Sequence, residues 1–382
     1  MSEAISKRAG ELAPRALAEL EQLVAISTPF GDNEAAESAF ELCRSLLPSG
    51  SAFERPPCST SGCAPDLIAR FAGTGSGRVL LLGHVDTVIS HADHRPLERD
   101  GERLYGSGTA DMKGGVAILL ALARELAGAP ADFAELGVLL VCDEEWRTAP
   151  FTHVERFAGY DACLCFEAGE RGGGRDGYEE GVIVTRKGAA TLRVRASGRA
   201  AHSGSAPQDG RNALLALAHA AIAVTAVADP EGPDRLTVVP TIIRSGDALN
   251  VVPASGELVF DLRADHTAAF RRPVEAVPPE VVGATLEAVL ERVWPAMDSE
   301  RAATPILLRA SELLGRSIVS RARGGASDAS HFASSISWTL DGLGPRGGGA
   351  HTPGEYIHAG AFADRIAVAL AVARAVLDGL AA

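Results

Sequence analysis

Two kinds of apolar pattern alternate along the first half of the chain. Residues 15–26, 33–47 and 113–127 repeat their apolar positions with the spacing of a helix, and a further helix is predicted near 150–157. Short, continuous apolar runs at 66–72, 78–86, 136–145 and 162–169 are typical of strands covered on both faces. Strands that alternate with helices in this way predict an α/β fold with a mostly parallel sheet.

The pattern changes near residue 187. "AATLRVRAS" alternates apolar and polar residues, as a strand with one solvated face does. A helix at 210–227, strands at 236–246 and 256–265, and a helix at 280–293 are predicted next, which indicates an α+β domain. From about 297 the α/β pattern returns and ends in a helix at 360–379. We therefore predict one domain formed by 1–186 and 297–382, interrupted by an inserted domain at 187–296.

Composition narrows the function classes. The chain has 382 residues, 46% of them hydrophobic, and a net charge of −13, which argues against binding to nucleic acid or to an anionic membrane surface. No apolar run reaches the roughly 18 residues that a membrane span needs, and the first residues lack the pattern of a secretory signal. We expect a cytoplasmic protein. The six cysteines form no CxxC pair; Cys58 and Cys63 share a loop and could touch, but free thiols are the favoured interpretation.

Polar side chains with metal-binding chemistry follow several of the apolar runs. "VLLLGHVDTV" ends in His84 and Asp86, a glycine-rich turn before a helix carries Asp111, and two later runs end in "DEE" and in "FE". The carboxyl ends of parallel strands meet at the ligand crevice of an open α/β sheet, so these side chains can converge. A histidine among carboxylates suits Zn²⁺, Co²⁺ or Mn²⁺.

The spacing of these residues suggests which of them bind metal and which support a ligand or act as a general base. His84 and Asp86 lie on the same side of an extended chain, so Asp86 can accept one ring N–H while the other nitrogen binds a metal. A buried His–Asp pair without metal is the alternative. Glu144 and Glu145 point in opposite directions, so one can bind metal while the other acts as a general base; an acidic strand end in solvent is the alternative.

Nine motifs occur in an order that resembles one enzyme family. They are "LLGHVDTV", "YGSGTADMKGG", "DEE", "FEAGE", "SGRAAHSG", "GRNALLAL", "NVVPASGELVFDLR", "GGASDASHF" and "GAHTPGEYI". The family is that of the dizinc metallopeptidases, with the carboxypeptidase G type of glutamate carboxypeptidase, acetylornithine deacetylase, succinyl-diaminopimelate desuccinylase and zinc aminoacylase. The glutamate carboxypeptidase branch is the most similar. The resemblance implies a zinc-exopeptidase-like catalytic domain and a ferredoxin-like inserted domain that serves as lid and dimerisation surface.

The resemblance also implies a role for each matching residue. Two Zn²⁺ ions per subunit, replaceable by Co²⁺ or Mn²⁺, would be bound by His84, Asp111, Glu145, Glu167 and His351. Asp111 would bridge the two ions, and a cis peptide usually follows it. Asp86 would support His84, and Glu144 would move the proton between the attacking water and the leaving amine.

The inserted domain would contribute further groups. By resemblance, His202 reaches the partner subunit's active site in a homodimer and stabilises the oxyanion, while Asn250 and Arg263 bind substrate. An ordinary loop histidine and an arginine that links strands are the alternatives. Asp328 either supports the site or has a structural role.

The sequence departs from the family at three places. "WRTAP" replaces the usual glycine–serine turn after "DEE", Ala168 replaces a proline, and Trp294 stands where glutamate carboxypeptidases carry an arginine linked to the substrate carboxylate. Trp294 either packs internally or lines a more apolar pocket. The implied function is hydrolysis of the amide bond of an N-acyl amino acid or small peptide with a free carboxylate, of the carboxypeptidase type. N-acyl-amino-acid deacylation is the alternative, and a catalytically silent binding protein is the least favoured reading.

Overall fold

The computed structural model describes residues 2–171 and 179–381. The α-helices are α1 (Ser2–Ala25), α2 (Asn33–Leu46), α3 (Lys113–Ala127), α4 (Ala213–Thr225), α5 (Arg271–Glu275), α6 (Glu300–Leu314), α7 (Ala329–Phe332) and α8 (Ala359–Ala381). The strands are β1 (Ala52–Glu54), β2 (Leu67–Ala72), β3 (Arg78–His84), β4 (Glu98–Asp100), β5 (Arg103–Tyr105), β6 (Glu135–Val141), β7 (Ala162–Cys165), β8 (Glu170–Arg171), β9 (Glu180–Arg186), β10 (Gly188–Ser197), β11 (Thr237–Ser245), β12 (Ser255–Ala264), β13 (Glu280–Val281), β14 (Ala284–Trp294), β15 (Met297–Asp298), β16 (Ile318–Arg323), β17 (Trp338–Leu340), β18 (Gly347–Gly348) and β19 (Tyr356–His358).

The chain forms two compact units. The first, the catalytic unit, comprises 1–185, 297–323 and 327–382; the second, the inserted unit, comprises 186–296 and 324–326. Across the described residues, none of the helices is both long and apolar enough to span a bilayer.

A six-stranded sheet in the order β1-β2-β6-β3-β7-β17 organises the catalytic unit. The pairings of β3 with β6, β3 with β7 and β7 with β17 are parallel, and the outer pairings of β1 and β2 are antiparallel. The predicted α/β fold with a mostly parallel sheet is therefore confirmed. Its parallel strands β3, β6 and β7 carry the predicted polar side chains at or just after their carboxyl ends.

Both faces of this sheet are covered, because the strands carry apolar side chains at successive positions. Leu81 and Val138 pack with helices α1, α3, α6 and α8 in one large core. Leu80 and Leu139 point the other way and pack with Phe157 and with residues of α7. Burial on both faces explains why these strands read as continuous apolar runs.

The inserted unit has a five-stranded antiparallel sheet in the order β11-β12-β10-β14-β13. Helix α4 and the short helix α5 pack against this sheet and form a separate core with it. Strand β10 is central and alternates as predicted, with Leu192 and Val194 fully buried.

The predicted helix at 280–293 is wrong, since 284–294 forms strand β14 and pairs with β10. Leu286, Ala288 and Leu290 fit one face of a helix poorly but alternate along a strand, and all three pack against the core of the unit. Hydrogen bonding to β10 and this period of two outweigh the helix propensity of the alanine, leucine and glutamate residues.

Two other helix predictions change in length. The first helix begins at Ser2 and not near residue 15. The helix predicted near 150–157 is only a short 3₁₀ turn, Val154–Phe157.

Candidate metal centre

His84 is the last residue of β3 and is 1% exposed. Its Nδ1 lies 3.1 Å from the backbone oxygen of Asp86 and 3.3 Å from Asp86 Oδ1, and both are acceptors, so Nδ1–H is the donor. The Nε2 atom therefore faces Asp111 Oδ1 at 3.3 Å and Glu167 Oε1 at 3.6 Å. Asp86 fixes the ring so that Nε2 points at two carboxylates.

Asp86 also organises the chain after β6. Its Oδ1 and Oδ2 accept the backbone N–H groups of Glu144 at 3.3 Å and Glu145 at 3.0 Å. One buried carboxylate thus fixes both the histidine and the two consecutive glutamates.

Asp111 lies in the turn before α3 and contacts two histidines. Its Oδ1 faces His84, and its Oδ2 lies 3.1 Å from His351 Nε2. The Asp111–Met112 peptide is cis, as the resemblance implies. Each oxygen of this carboxylate therefore belongs to a different cluster of donors.

The second cluster is completed by residues distant in sequence. His351, in the turn between β18 and β19, places Nε2 3.1 Å from Glu145 Oε2. The ring is half exposed, whereas the Glu145 side chain is 6% exposed. The structure thus brings His84, Asp111 and Glu167 into one cluster and Asp111, Glu145 and His351 into another.

Glu355, for which the sequence predicted no role, stabilises the turn that carries Asp111. Its buried carboxylate accepts the backbone N–H groups of Gly108, Ala110 and Asp111 at 2.7, 2.7 and 2.8 Å. In the sequence, Glu355 stands out only as a glutamate within "GAHTPGEYI". Its contact with the Asp111 turn spans more than 240 residues, so no local spacing predicts it.

The donor sets fit a divalent metal. Each cluster combines one imidazole with two carboxylates, a set that Zn²⁺ accepts. Two ligand atoms at 2.0–2.1 Å from a tetrahedral ion lie about 3.3 Å apart. The observed spacings of 3.1–3.6 Å between the nitrogen and oxygen atoms agree with that value.

The electrostatic field of the centre also favours a cation. Burial opposes protonation of His84, but hydrogen bonds to Asp111 and Asp86 raise its pKa well above the usual value. Hydrogen bonds to Asp111 and Glu145 raise the pKa of His351 to about 10. Carboxylates that stabilise a proton on these rings would equally stabilise a bound metal ion.

Glu144 differs from its neighbour. Its side chain is buried, and burial raises its pKa well above the usual range; the charges of Glu167, Asp328 and Glu145 raise it further, against the effect of His84. A glutamate with a raised pKa beside these carboxylates holds a proton more readily than a free carboxylate, as a group that accepts and returns a proton must.

Arg147, in the segment "WRTAP" that departs from the family pattern, forms a buried ion-pair bridge. The guanidinium is fully buried, donates through Nε at 3.0 Å and Nη2 at 2.7 Å to Asp143 Oδ1, and forks to both oxygens of Asp328. Asp328 is thus one carboxylate of a buried Asp143–Arg147–Asp328 bridge. The bridge ties the segment that carries Glu144 and Glu145 to the start of α7.

The inserted unit carries the other predicted residues. His202 Nδ1 accepts the backbone N–H groups of Gly204 at 3.1 Å and Ser205 at 3.2 Å, so Nε2 carries the proton and is exposed as a donor. Asn250 lies beside it, because its backbone oxygen accepts the Ser203 N–H at 3.0 Å. Arg263 lies on β12 and forks to Asp261 at 3.0 and 3.1 Å.

Trp294 is 3% exposed, and the Arg292 guanidinium lies 5.6 Å from the centre of its ring. Its burial favours the packing role over the lining of an open pocket.

An α/β unit with histidines and carboxylates beyond the ends of its parallel strands is an arrangement that metal-dependent hydrolases use. The sequence profile of peptidase family M20/M25/M40 matches residues 80–375, and the chain belongs to this family. Its members include enzymes that hydrolyse acyl-amino acids or peptides with the help of a metal, and this chain is such an enzyme.

Two curated relatives and one solved structure illustrate the similarity. The chain is 28% identical over 381 residues to carboxypeptidase G2 of Pseudomonas sp. (strain RS-16), covering 96% of this chain and 89% of the relative. It is 29% identical to a succinyl-diaminopimelate desuccinylase of Methylorubrum extorquens, covering 69% and 77%. The structure of a tripeptidase from Staphylococcus aureus superposes with a TM-score of 0.76 at 18% identity, covering 96% and 99%. The predicted family is confirmed.

Proposed function

We propose that His84, Asp111 and Glu167 bind one Zn²⁺ ion and that Asp111, Glu145 and His351 bind a second. The observation that carries this proposal is the Asp111 carboxylate, whose two oxygens face the histidines of two different clusters. Co²⁺ and Mn²⁺ accept the same nitrogen and oxygen donors and should replace Zn²⁺.

In the proposed mechanism, this chain's residues position and move protons around the scissile amide. Bound metal would polarise the carbonyl and acidify the attacking water. Glu144 takes a proton from that water and returns it to the leaving amine nitrogen. His202, whose Nε2–H is a donor, hydrogen-bonds the carbonyl oxygen as negative charge develops on it.

The proposed substrate is an N-acyl amino acid or a small peptide with a free carboxylate at the leaving part. The alignment with carboxypeptidase G2 over nearly the whole chain supports a carboxypeptidase. Deacylation of an N-acyl amino acid breaks the same bond and is the second candidate. Because Trp294 replaces an arginine of the glutamate carboxypeptidases and is buried, we expect the preference for a C-terminal glutamate to be weak.

The proposed homodimer uses the inserted unit. Strand β11 is an edge of its sheet, and Val239, Ile242 and Ile243 on it are 51%, 42% and 53% exposed. Helix α4, which packs against β11, exposes Ile222 at 74%. Apolar side chains on an unpaired sheet edge and the adjoining helix support association of two copies through this surface. A cytoplasmic location remains a prediction from the sequence.

A hydrolysis screen tests the proposed function. The zinc-loaded protein is incubated with N-acetyl, N-succinyl and N-aroyl amino acids and with dipeptides that end in acidic, basic or apolar residues, and products are identified by mass spectrometry. Metal-dependent cleavage next to a residue with a free carboxylate is the expected result, with chelated protein and the Glu144→Gln variant as inactive controls. A fully loaded protein that cleaves no member of the panel would contradict the proposed substrate class.

Replacing His202 by alanine should lower kcat by about 10²–10³-fold, the usual loss for one donor to an oxyanion. Bound zinc, measured by mass spectrometry, should not change. His266→Ala, an exposed histidine in the turn after β12, is the matched control and should retain full activity.

Mixed dimers test whether His202 acts on the partner subunit. His202→Ala and Glu144→Gln subunits are co-expressed with different tags, and the heterodimer is purified. A hybrid of a twofold dimer would then contain one intact site, and activity should recover to about half that of the wild type. A purified hybrid as inactive as either parent would contradict action across the interface.

Arg263→Ala should raise KM by about tenfold or more for substrates with a free carboxylate, since a charge-assisted hydrogen bond contributes about 1.5–3 kcal/mol. The kcat should change little, because the contact is made in both ground and transition states. Amidated analogues of the same substrates provide the control. An unchanged KM would show that Arg263 only pairs with Asp261.

A further inference from the structure

A second group of potential metal ligands lies in the catalytic unit and shares no residue with the clusters around His84 and His351. The Cys58 and Cys142 sulfur atoms and one carboxylate oxygen of Asp66 lie within 4.8 Å of one another. Cys142 and Asp66 are 5% and 0% exposed, and Cys58 is partly buried. Three donors of this kind, gathered in one place, could hold a metal ion.

A third thiol adjoins this group. Cys63 interacts with the Cys58 thiol and lines a small cavity together with Cys142 and Asp86. It lies in the same loop as Cys58, "CSTSGCAPD", residues 58–66. Cys63 therefore adjoins Cys58, while the three donors that lie together are Cys58, Cys142 and Asp66.

Hydrogen bonds fix the orientation of the Asp66 carboxylate, as they do for carboxylates that bind metals. Its Oδ1 accepts the Cys142 backbone N–H at 3.2 Å, and its Oδ2 is 2.8 Å from Nε2 of the fully buried His153. Such outer hydrogen bonds fix the orientation of a ligand. The side chain is thus oriented toward the two sulfur atoms before any ion arrives.

We propose that Cys58, Cys142 and Asp66 bind one Zn²⁺ ion that has a structural role. Binding releases the thiol protons to solvent and forms zinc–thiolate bonds, with no change in oxidation state. The ion would join the loop at 58–66 to Cys142, which precedes Asp143, Glu144 and Glu145 in sequence. It would thereby hold in place the segment that carries the proposed general base.

The surroundings favour a metal over a disulfide. All three cysteines are free thiols in the structure. The Asp66 carboxylate beside the two sulfur atoms is a donor that a divalent ion can use and a disulfide cannot.

Cobalt spectroscopy distinguishes this site from the catalytic centre. The chelated full-length protein is loaded with Co²⁺, and the thiolate-to-cobalt charge-transfer band in the near ultraviolet is recorded. The centre around His84 and His351 has no sulfur donor, so it cannot give this band. We expect the band in the wild type and in His351→Ala, and its loss in Cys58→Ala. Cys43→Ala, a cysteine buried in α2, is the matched control and should keep the band.

Metal content gives an independent readout. Cys58→Ala should hold about one zinc ion per chain fewer than Cys43→Ala, because loss of a ligand typically abolishes structural binding. Circular dichroism checks that both variants are folded, and Cys58 is partly exposed, so its truncation leaves no closed cavity. Absence of the band in the wild type, a band that survives Cys58→Ala, or a disulfide between these cysteines in the purified protein would each overturn the proposal.

Discussion

Replacing Glu144 by glutamine lowers kcat by roughly 10²–10⁴-fold, the contribution that a positioned general base makes. The amide of glutamine fills the same space but cannot accept the proton of the attacking water. Metal binding should survive, because Glu144 belongs to neither cluster of donors. Activity on the best substrate of the hydrolysis screen and metal content are measured on the same preparation.

The adjacent residue provides the matched control. Glu145→Gln removes a donor that lies 3.1 Å from His351 Nε2, so this variant should lose metal as well as activity. Metal content therefore distinguishes the role of Glu144 from that of Glu145. A Glu144→Gln enzyme with a near-normal kcat would remove Glu144 from the role of base.

Replacing Arg147 by alanine should destabilise the protein by about 3–5 kcal/mol, because it leaves Asp143 and Asp328 buried without a counter-charge. A change of that size should lower the melting temperature of the catalytic unit by about 10 °C. Thermal unfolding followed by circular dichroism measures this shift. Arg374→Ala, which removes an arginine whose side chain is 52% exposed, is the control and should cost at most about 1 kcal/mol.

A third variant shows whether uncompensated buried charge causes the loss of stability in Arg147→Ala. Arg147→Met combined with Asp143→Asn and Asp328→Asn removes all three charges and should recover much of the stability lost in Arg147→Ala. If Arg147→Ala melts no lower than Arg374→Ala, the buried bridge is not a source of stability.

The strand ends of the catalytic unit could be predicted from the sequence because local chemistry there is unusual. His84 and Asp86 follow a run of residues that only a buried strand explains, and the parallel sheet places such ends together. The family motifs then linked His351, far along the chain, to the same centre. The structure places His351 Nε2 3.1 Å from one oxygen of Asp111, whose other oxygen lies 3.3 Å from His84 Nε2.

Other features depend on contacts that no local pattern reveals. Strand β14 was predicted as a helix because its composition favours one, and only pairing with β10 decides its state. Arg147 in "WRTAP" gave no signal of its partner Asp328, 181 residues away. Cys58 and Cys142 likewise have no spacing typical of a metal site, and the folded chain alone brings them together.

Anomalous diffraction at the zinc edge tests the two-metal centre most directly. Crystals of the full-length protein grown with Zn²⁺ should show two peaks flanking the Asp111 carboxylate, about 3.5–4 Å apart as in other two-metal sites. One peak should lie against His84 and Glu167, and the other against Glu145 and His351. A single peak at full occupancy, or none beside Asp111 with zinc in excess, would contradict the proposed centre.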